Sequence, residues 1–464
     1  MSRHRRAGAG DETIVAVITP PGEGGVAALR VAGPSSVSIL RRCFSPEHGD
    51  NSSITPFLMR YGRFAGRDGE TLDEVMAVFM PKGHSYTGLD QVEIFCHGGR
   101  QVVKLLLDEL VGMGARPAEP GEFTKLAFLN GRIDLARAEA VAEVIAANTE
   151  ASFEASREHL LGRYSEHVNE LRDRLVGTLA EVEASIDFSE EDIDPAQSRL
   201  LADSTKALMG SIDELLKTYD GGRIIHEGYK IAICGRPNAG KSSLFNLLLK
   251  QERALVHAKA GTTRDYLSEW IDLGGFAVNL IDTAGLRQGG GAVEKAGQSQ
   301  AQKIIKSADL VLWLVDLSSK GWKKNLDIDV PALDNENIVI IGNKIDIFGH
   351  DSKKLAGNSE IIVPVSCTTK RGIAELKNGI VERIEAKMPD LTSGLVVTSA
   401  RHKQKLSQAL KHLRKAERKL IRAESPELTA FDLGQAKQAL DEITGHVYTE
   451  DILGRIFSTF CIGK

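Results

Sequence analysis

The sequence of 464 residues predicts a multidomain α/β protein. It divides into an N-terminal α+β domain (residues 1–130), an all-α domain in two stretches (131–225 and 389–464) and an α/β domain inserted between them (226–388). Three observations predict this. Short β-like runs broken by Gly and Pro fill residues 13–130. From Leu135 to Ile186 the chain is rich in Ala, Glu and Leu, lacks proline and repeats apolar residues at helical spacing; the same character returns after Ser399. From Gly228 to Met388 continuous apolar runs alternate with helical segments, as expected of parallel strands covered on both faces. A domain inserted into another needs closely spaced ends. Two separate helical bundles are the other arrangement that the pattern allows.

Composition narrows the class. Hydrophobic residues make up 42% and charged residues 26%, ordinary for a globular protein in water. The net charge of −5 excludes a globally basic polyanion binder, so any nucleic-acid contact must come from a local patch. The five cysteines, Cys43, Cys96, Cys234, Cys367 and Cys461, are scattered and form no C-x-x-C pair. That argues against a disulfide framework or a zinc site and fits a reducing compartment. No apolar run approaches the roughly 18 residues that span a bilayer. The basic opening Met-Ser-Arg-His-Arg-Arg is followed by Asp11 and Glu12, and the apolar run Ile14–Ile18 is too short for a signal segment. A cytoplasmic location is expected.

In the N-terminal segment, strands are predicted at Thr13–Ile18, Val26–Val31, Glu74–Phe79 and Gln91–Phe95, with one clear helix at Val102–Leu110. Loops Pro20-Pro-Gly-Glu-Gly-Gly25 and His97-Gly-Gly99 lie between them. Arg30 and Glu93 interrupt otherwise apolar strands; such a charge is either at a rim or a ligand contact. The helical segment carries two stripes, Leu135, Ala138, Val141, Ala142, Ile145 and Leu171, Leu175, Leu179, Val182, Ile186. A break near Asp187–Pro195 precedes a third helix, Leu200–Tyr219, which Gly221-Gly222 is expected to end. After Ser399, helices are expected at Lys403–Ile421, Phe431–Ile443 and Glu450–Phe460.

The inserted domain carries the chemistry. Residues 235–242, Gly-Arg-Pro-Asn-Ala-Gly-Lys-Ser, fit G-x-x-x-x-G-K-S/T between an apolar strand, Tyr229–Cys234, and a helix, Ser243–Leu249. Glycines let backbone N–H groups converge on phosphate oxygens, and the helix N-terminus adds a favourable dipole. Asn238, Ala239, Gly240, Lys241, Ser242 and Ser243 are therefore the candidate phosphate cradle. Lys241 reaches the outer phosphates and Ser242 is a Mg²⁺ ligand. In Gly261-Thr-Thr-Arg-Asp265, Thr263 is the candidate to complete the Mg²⁺ shell when a third phosphate is present. Asp282, Thr283, Ala284 and Gly285 follow the strand Val278–Ile281; an aspartate there can hold Mg²⁺ through water and a glycine N–H can meet the γ-phosphate.

Asn343-Lys344-Ile-Asp346, after the strand Ile338–Ile341, decides the base. The Asp346 carboxylate can accept from both N1–H and the amino group of guanine, a donor pair that adenine lacks. Ser366, Cys367 and Thr368, after Ile361–Val365, can add a backbone donor to the guanine carbonyl. Four such elements in this order predict GTP binding. Leu286 occupies the place where Ras-like enzymes hold a water-orienting glutamine, and leucine cannot hydrogen-bond water. Glu294 is the candidate for that catalytic role.

The assembled chain resembles the MnmE (TrmE) family of tRNA-modifying GTPases over essentially its whole length. The resemblance rests on Thr19-Pro-Pro-Gly-Glu-Gly-Gly25, Ser85-Tyr-Thr-Gly88, His97-Gly-Gly99, Pro120-Gly-Glu-Phe123, the GTPase motifs, Leu453-Gly-Arg-Ile-Phe457 and the terminal Cys461-Ile-Gly-Lys464. It implies an N-terminal domain of folate-binding type that builds a homodimer, with a tetrahydrofolate derivative (5-formyl or methylene form) as cofactor. Arg30, Glu93 and Lys464 match the folate-contacting positions, and Arg132 stands where some members carry lysine. It implies a flavoprotein partner, MnmG (GidA), in a heterotetramer-type complex, and an aminomethyl-type group added at C5 of the tRNA wobble uridine. It further implies hydrolysis that requires K⁺ and pairing of two G domains. The cation is then held by Asn238, His257, Lys259 and Thr262, within a nucleotide-facing segment that also includes Ala258, Ala260 and Gly261. Glu294 matches the family's catalytic glutamate. Cys461 is either a nucleophile or a thiol lining a pocket.

Two readings remain for the basic helix from Arg401 to Arg422: contact with tRNA phosphates, or a solvated face. The alternative function is an Era-like GTPase switch in ribosome assembly. Such proteins carry a separate RNA-binding domain instead of the terminal Cys-Ile-Gly-Lys.

Overall fold

The computed structural model describes residues 10–48, 54–187, 195–254, 267–283, 292–333, 335–348, 362–388 and 395–464. The N-terminal part contains β1 (Ile14–Val17), β2 (Gly24–Ala32), α1 (Ser36–Cys43), β3 (Phe44–Pro46), β4 (Arg60–Ala65), β5 (Thr71–Met80), β6 (Gln91–Gly98), α2 (Arg100–Gly112), β7 (Arg116–Pro117) and α3 (Glu122–Leu129). Helices follow: α4 (Leu135–Ala146), α5 (Glu150–Leu161), α6 (Arg163–Asp187), α7 (Pro195–Lys217) and α8 (Tyr219–Glu227). An alternating stretch comes next, with β8 (Tyr229–Gly235), α9 (Lys241–Gln251), β9 (Arg253–Ala254), β10 (Leu267–Leu273), β11 (Phe276–Asp282), α10 (Ala292–Ser307) and β12 (Leu310–Asp316). It continues through α11 (Trp322–Asp329), β13 (Ile338–Asn343), α12 (Ile345–Phe348), β14 (Ile362–Pro364) and α13 (Ile373–Glu385). The chain closes with α14 (Ala400–Ile421), α15 (Pro426–Thr444) and α16 (Glu450–Phe457). By compactness it forms two units, Met1–Ala142 with Asp441–Lys464, and Glu143–Leu440.

The first unit is built on a seven-stranded sheet of order β3-β4-β5-β6-β2-β1-β7. Its pairs are antiparallel except β1 with β7. Alternation gives the sheet two different faces. Leu29, Val31, Val92, Ile94, Cys96 and Phe64 point to a core closed by α1 and α2. On the opposite face a smaller core of Ile14, Ala16, Ala32, Phe123 and Leu126 lies under α3. Register places Arg30 opposite Glu93 on this second face. One row along, Tyr61, Met76, Phe95 and Ala28 are aligned across four strands. The row is bare at its β4–β5 end, where Tyr61 is 50% and Met76 40% exposed, while Ala28 at the β2 end is buried.

Helices α1 and α3 and strand β4 go beyond the predicted elements. In β4 the apolar alternation is interrupted by Gly62, where a Cβ would lie 2.2 Å from the Ser45 carbonyl oxygen of β3. Close strand approach, not flexibility, explains that glycine.

The second unit combines helices with a seven-stranded sheet of order β14-β13-β12-β8-β11-β10-β9. Strands β14, β13, β12, β8 and β11 are parallel neighbours and β10 and β9 are added antiparallel. Its apolar strands bury side chains on both faces, as their sequence predicts. The helical stretch predicted from Leu135 to Ile186 breaks twice. Thr149 caps α5 by accepting from the Ser152 backbone, and Gly162 ends it in the left-handed conformation at φ 94°. Helices α7 and α14, from either side of the nucleotide sheet in sequence, pack along one another, and Ser198 Oγ donates to the Leu420 carbonyl at 2.6 Å.

One expected helix end is corrected. Gly221-Gly222 does not terminate a helix but lies inside α8. A Cβ at Gly222 would lie 2.3 Å from the Val397 carbonyl oxygen, so glycine serves close packing of the chain's return segment. Thr218 Oγ1 accepts from the Val397 backbone N–H at 3.0 Å beside it. The next residue of α8, Arg223, is ion-paired with Asp309 just before β12, and Asp309 also accepts from the Lys230 backbone at 2.9 Å. Alanine inside a helix ordinarily gains about 0.5–1 kcal/mol over glycine. At Gly222 overpacking of about 1–3 kcal/mol outweighs that gain. Gly222→Ala is therefore expected to lower the thermal midpoint in calorimetry, and a raised midpoint would contradict the packing explanation.

Candidate functional site

The phosphate loop leaves the C-terminal end of β8, flanked in the sheet by β12 and β11. Its shape requires its residues. Gly235 has φ 142° and a Cβ there would lie 2.4 Å from the Leu314 carbonyl oxygen; Gly240 has φ 100° and a Cβ there would lie 2.2 Å from Asn343 Nδ2. Asn238 also takes the left-handed conformation, at φ 63°. Gly240 caps α9 without a side-chain hydrogen bond, so the first N–H groups of α9 are aimed at the loop's interior. Lys241 Nζ donates back across the loop to the Arg236 carbonyl at 2.9 Å. The Arg236 side chain is held by Asp329 of α11 through two bonds of 2.7 and 2.9 Å.

Ser242 Oγ, in the first turn of α9, donates to Asp282 Oδ2 at 3.0 Å. Asp282 ends β11 and is 1% exposed. A buried carboxylate touching a serine hydroxyl is a hard oxygen pair of the kind that Mg²⁺ prefers, directly or through water. These residues fit that ion. Thr283 turns inward, its hydroxyl donating to the Ile233 carbonyl at 3.0 Å, so it ties β11 to β8.

Asn343 is 2% exposed and joins two loops that are far apart in sequence. Its Nδ2 donates to the Ala239 carbonyl at 2.8 Å, and its Oδ1 accepts from the Cys367 backbone at 3.2 Å. The phosphate loop and base loop are thereby fixed against each other. Lys344, at φ 67°, donates to Asp316 Oδ2 at 2.6 Å. Burial pushes Asp316 up, but hydrogen bonds from Lys344 and Ser318 outweigh it and hold the carboxyl below its ordinary range. Asp346 lies exposed in the first turn of α12. Ser366 is fully buried, its backbone N–H bonded to the Arg371 carbonyl at 2.9 Å and its hydroxyl accepting from Thr369. Burial, offset in part by the hydrogen bond with Asn343, pushes the Cys367 thiol up to about 11, so it is a neutral packing group at ordinary pH. Thr368 is exposed.

Of the other expected nucleotide residues, His257, Ala258, Lys259, Ala260, Gly261, Thr262, Thr263, Ala284 and Gly285 lie outside the described residues, as does Leu286. Glu294 falls in α10, with its side chain outside the description. Two contributors escaped sequence reasoning, Asp316 and Asp329. Neither belongs to a motif; each becomes visible only through the basic residue that it holds.

In the first unit, Arg30 Nε donates to Glu93 Oε1 at 2.9 Å, with the two side chains 14% and 16% exposed. Gln91 Nε2 donates to the same carboxylate oxygen at 3.1 Å. The guanidinium lies 5.1 Å from the Tyr86 ring centre and 5.4 Å from that of Phe123. The Lys464 carbonyl accepts from the Phe123 backbone at 3.1 Å. Gly463, at φ 98°, is fitted so closely that a Cβ would lie 2.4 Å from the Val17 carbonyl oxygen. Arg132 donates to the Gly83 carbonyl at 2.9 Å and packs beside Gly88. Tyr86 and Phe123 sat within quoted motifs, but spacing gave no reason to single them out.

A mostly parallel sheet with this loop at its centre and a guanine-type loop at its edge defines a P-loop guanine-nucleotide-binding protein, here joined to helices and an N-terminal sheet. A family model described as the MnmE helical domain matches residues 135–461, and one described as the N-terminus of the GTP-binding protein TrmE matches residues 13–132. The chain belongs to the MnmE family. Proteins named tRNA modification GTPase MnmE match at 42% identity over 456 residues in Akkermansia muciniphila and 43% over 465 residues in Moorella thermoacetica. The Aquifex aeolicus relative of that name is 40% identical over 455 residues. Each match covers 98% of this chain and 99–100% of the relative. The solved structure of Aquifex aeolicus Era is 23% identical and covers 39% of this chain and 66% of its own, with a TM-score of 0.25. Among the described residues no helix is long and apolar enough to cross a membrane.

Losing the Asn343 side chain leaves two partners unsatisfied, at about 1–3 kcal/mol for each buried group. Asn343→Ala is expected to weaken GTP binding about 10- to 100-fold, measured with a fluorescent GTP analogue; wild-type affinity would show that the bridge does not organise the site.

Proposed function

We propose that this chain is a GTPase that acts in tRNA modification, as its relatives' names describe them. The observation that carries the nucleotide half is the buried Asn343, which bonds the phosphate loop on one side and the base loop on the other. Near-complete coverage by MnmE relatives supports the tRNA half and weighs against an Era-like ribosome-assembly switch. The finer reading is an aminomethyl-type addition at C5 of the wobble uridine, carried out with the flavoprotein MnmG.

On this reading Ser242 and Asp282 hold Mg²⁺ and Lys241 neutralises the outer phosphates, so charge developing on the leaving group meets fixed positive charge. Glu294 orients the attacking water in place of the absent glutamine. Asn238 serves as a K⁺ ligand together with His257, Lys259 and Thr262. The exposed position of Asn238 in the loop suits that role.

The N-terminal unit is read as the site of a tetrahydrofolate derivative, which supplies a one-carbon unit when bound. The Arg30–Glu93 pair supports this: a half-screened carboxylate and guanidinium beside two aromatic rings suit a flat heterocycle with a donor edge. Arg132 and Lys464 complete the proposed set. A homodimer is supported by the bare row of Tyr61 and Met76 and by the nearby Phe57, Leu58 and Met59, which are 48–58% exposed. A contiguous apolar patch of this kind marks an association surface.

Two measurements test the reading. Glu294→Ala is expected to keep nucleotide affinity while turnover in K⁺ falls at least about 100-fold, the scale of a lost transition-state contact; unchanged turnover removes Glu294 from the mechanism. Deleting the gene is expected to abolish the modified wobble uridine in digested tRNA, and an unaltered nucleoside profile would refute the tRNA reading.

A further inference from the structure

Helix α14 carries eight basic residues against one acid, Glu417, in a chain whose net charge is −5. Its buried side is apolar: Leu406, Ala409, Leu410, Leu413, Ala416 and Leu420. The exposed side repeats at intervals of three and four residues through Lys411, Arg414, Lys415, Arg418 and Arg422. These positions share one face and span about 16 Å of helix axis.

The flanking cations are engaged locally. Lys403 lies 4.1 Å from the Tyr219 ring centre, Lys419 is bonded to Asp432 at 2.7 Å, and Arg422 pairs with Glu424 at 3.6 Å. The side chains of Lys411, Arg414, Lys415 and Arg418 have no hydrogen-bonded or ion-paired partner among the described residues. Lys411 and Lys415, Arg414 and Arg418, Lys415 and Lys419, and Arg418 and Arg422 are each like charges at i,i+4, which destabilises a helix. A face selected only for solubility would interleave acids here, as i,i+4 pairs of opposite sign do. Asp432 offsets Lys419 and attracts Lys415, and Glu424 offsets Arg422; the repulsion at Lys411–Lys415 and Arg414–Arg418 is left for an external polyanion to relieve.

We infer that the Lys411–Arg422 face of α14 is a docking surface for the sugar-phosphate backbone of RNA. The inference rests on the tRNA reading proposed above, and it names the part of this chain that meets the substrate. Charge complementarity selects the occupant: with the chain as a whole negative, a polyanion gains from this strip and loses elsewhere. A helix lying in a lipid surface would need its apolar side free. The apolar side of α14 is instead covered, and Ser198 of α7 bonds its Leu420 carbonyl. Such a surface contributes affinity and register without reading bases.

The test uses the full chain and unmodified tRNA transcript, with affinity followed by fluorescence anisotropy from about 50 to 200 mM salt. The variant K411Q/R414Q/K415Q/R418Q is expected to bind at least about tenfold more weakly, with a log–log salt slope shallower by about 3. The charge-conserving K411R/K415R variant should keep both values, and GTP hydrolysis without tRNA should match wild type in both variants. If the fourfold variant does not fold, as judged by circular dichroism, the four single substitutions serve, each lowering the slope by about 1. Wild-type affinity and slope in the substituted protein, while wild type binds tRNA, overturn this surface and leave the tRNA reading standing. Failure of wild type to bind tRNA at low salt removes both. Loss of binding to phosphatidylserine vesicles with tRNA affinity intact would overturn the RNA assignment in favour of a lipid surface.

Discussion

One buried amide holds the nucleotide site in shape. Asn343 bonds Ala239 and Cys367 at once, and Gly240 must lack a side chain for it to do so. A hydrogen bond to a buried group contributes little net energy but costs much when left unmade. The two loops therefore have few alternatives to their observed spacing. Further contacts extend the constraint outward, with Asp316 holding Lys344 and Asp329 holding Arg236. The Ser242–Asp282 contact then lies on a frame already set by the sheet.

The same economy organises the N-terminal sheet. Strict alternation gives one face to a closed apolar core and leaves the other to specific contacts. On that second face α3 covers the β1–β2 end, with Phe123 beside Arg30. The Tyr61–Met76 row stays open. Burial of the ion pair is tolerable because Gln91 adds a hydrogen bond and the two rings flank the guanidinium.

Much of this was legible in sequence, for identifiable reasons. Loop chemistry at 235–242, 282–285, 343–346 and 366–368 is local, and period-2 and period-3.6 patterns located most of the longer strands and the long helices. What was not legible depends on distance in the chain. Ala239 and Asn343 are 104 residues apart, and no spacing rule relates them. Glycine misled the reading at Gly222, because a glycine needed for close approach looks like a breaker. The helical stretch was read from two stripes, at 135–145 and 171–186, and the ends at Thr149 and Gly162 lie between them. Tyr86 and Phe123 look like ordinary core aromatics until Arg30 is placed between them.

The contacts around α8 have a mechanical consequence. The chain enters the nucleotide sheet through α8 and leaves it through the segment containing Val396 and Val397. Thr218 and Gly222 hold those two passages side by side, and Arg223, in the middle of α8, fastens the helix to Asp309. Two anchors this close form a pivot and not a pair of tethers. The entry and exit of the nucleotide sheet are thereby tied to each other before either reaches the helices, so the two ends of the inserted segment share one attachment.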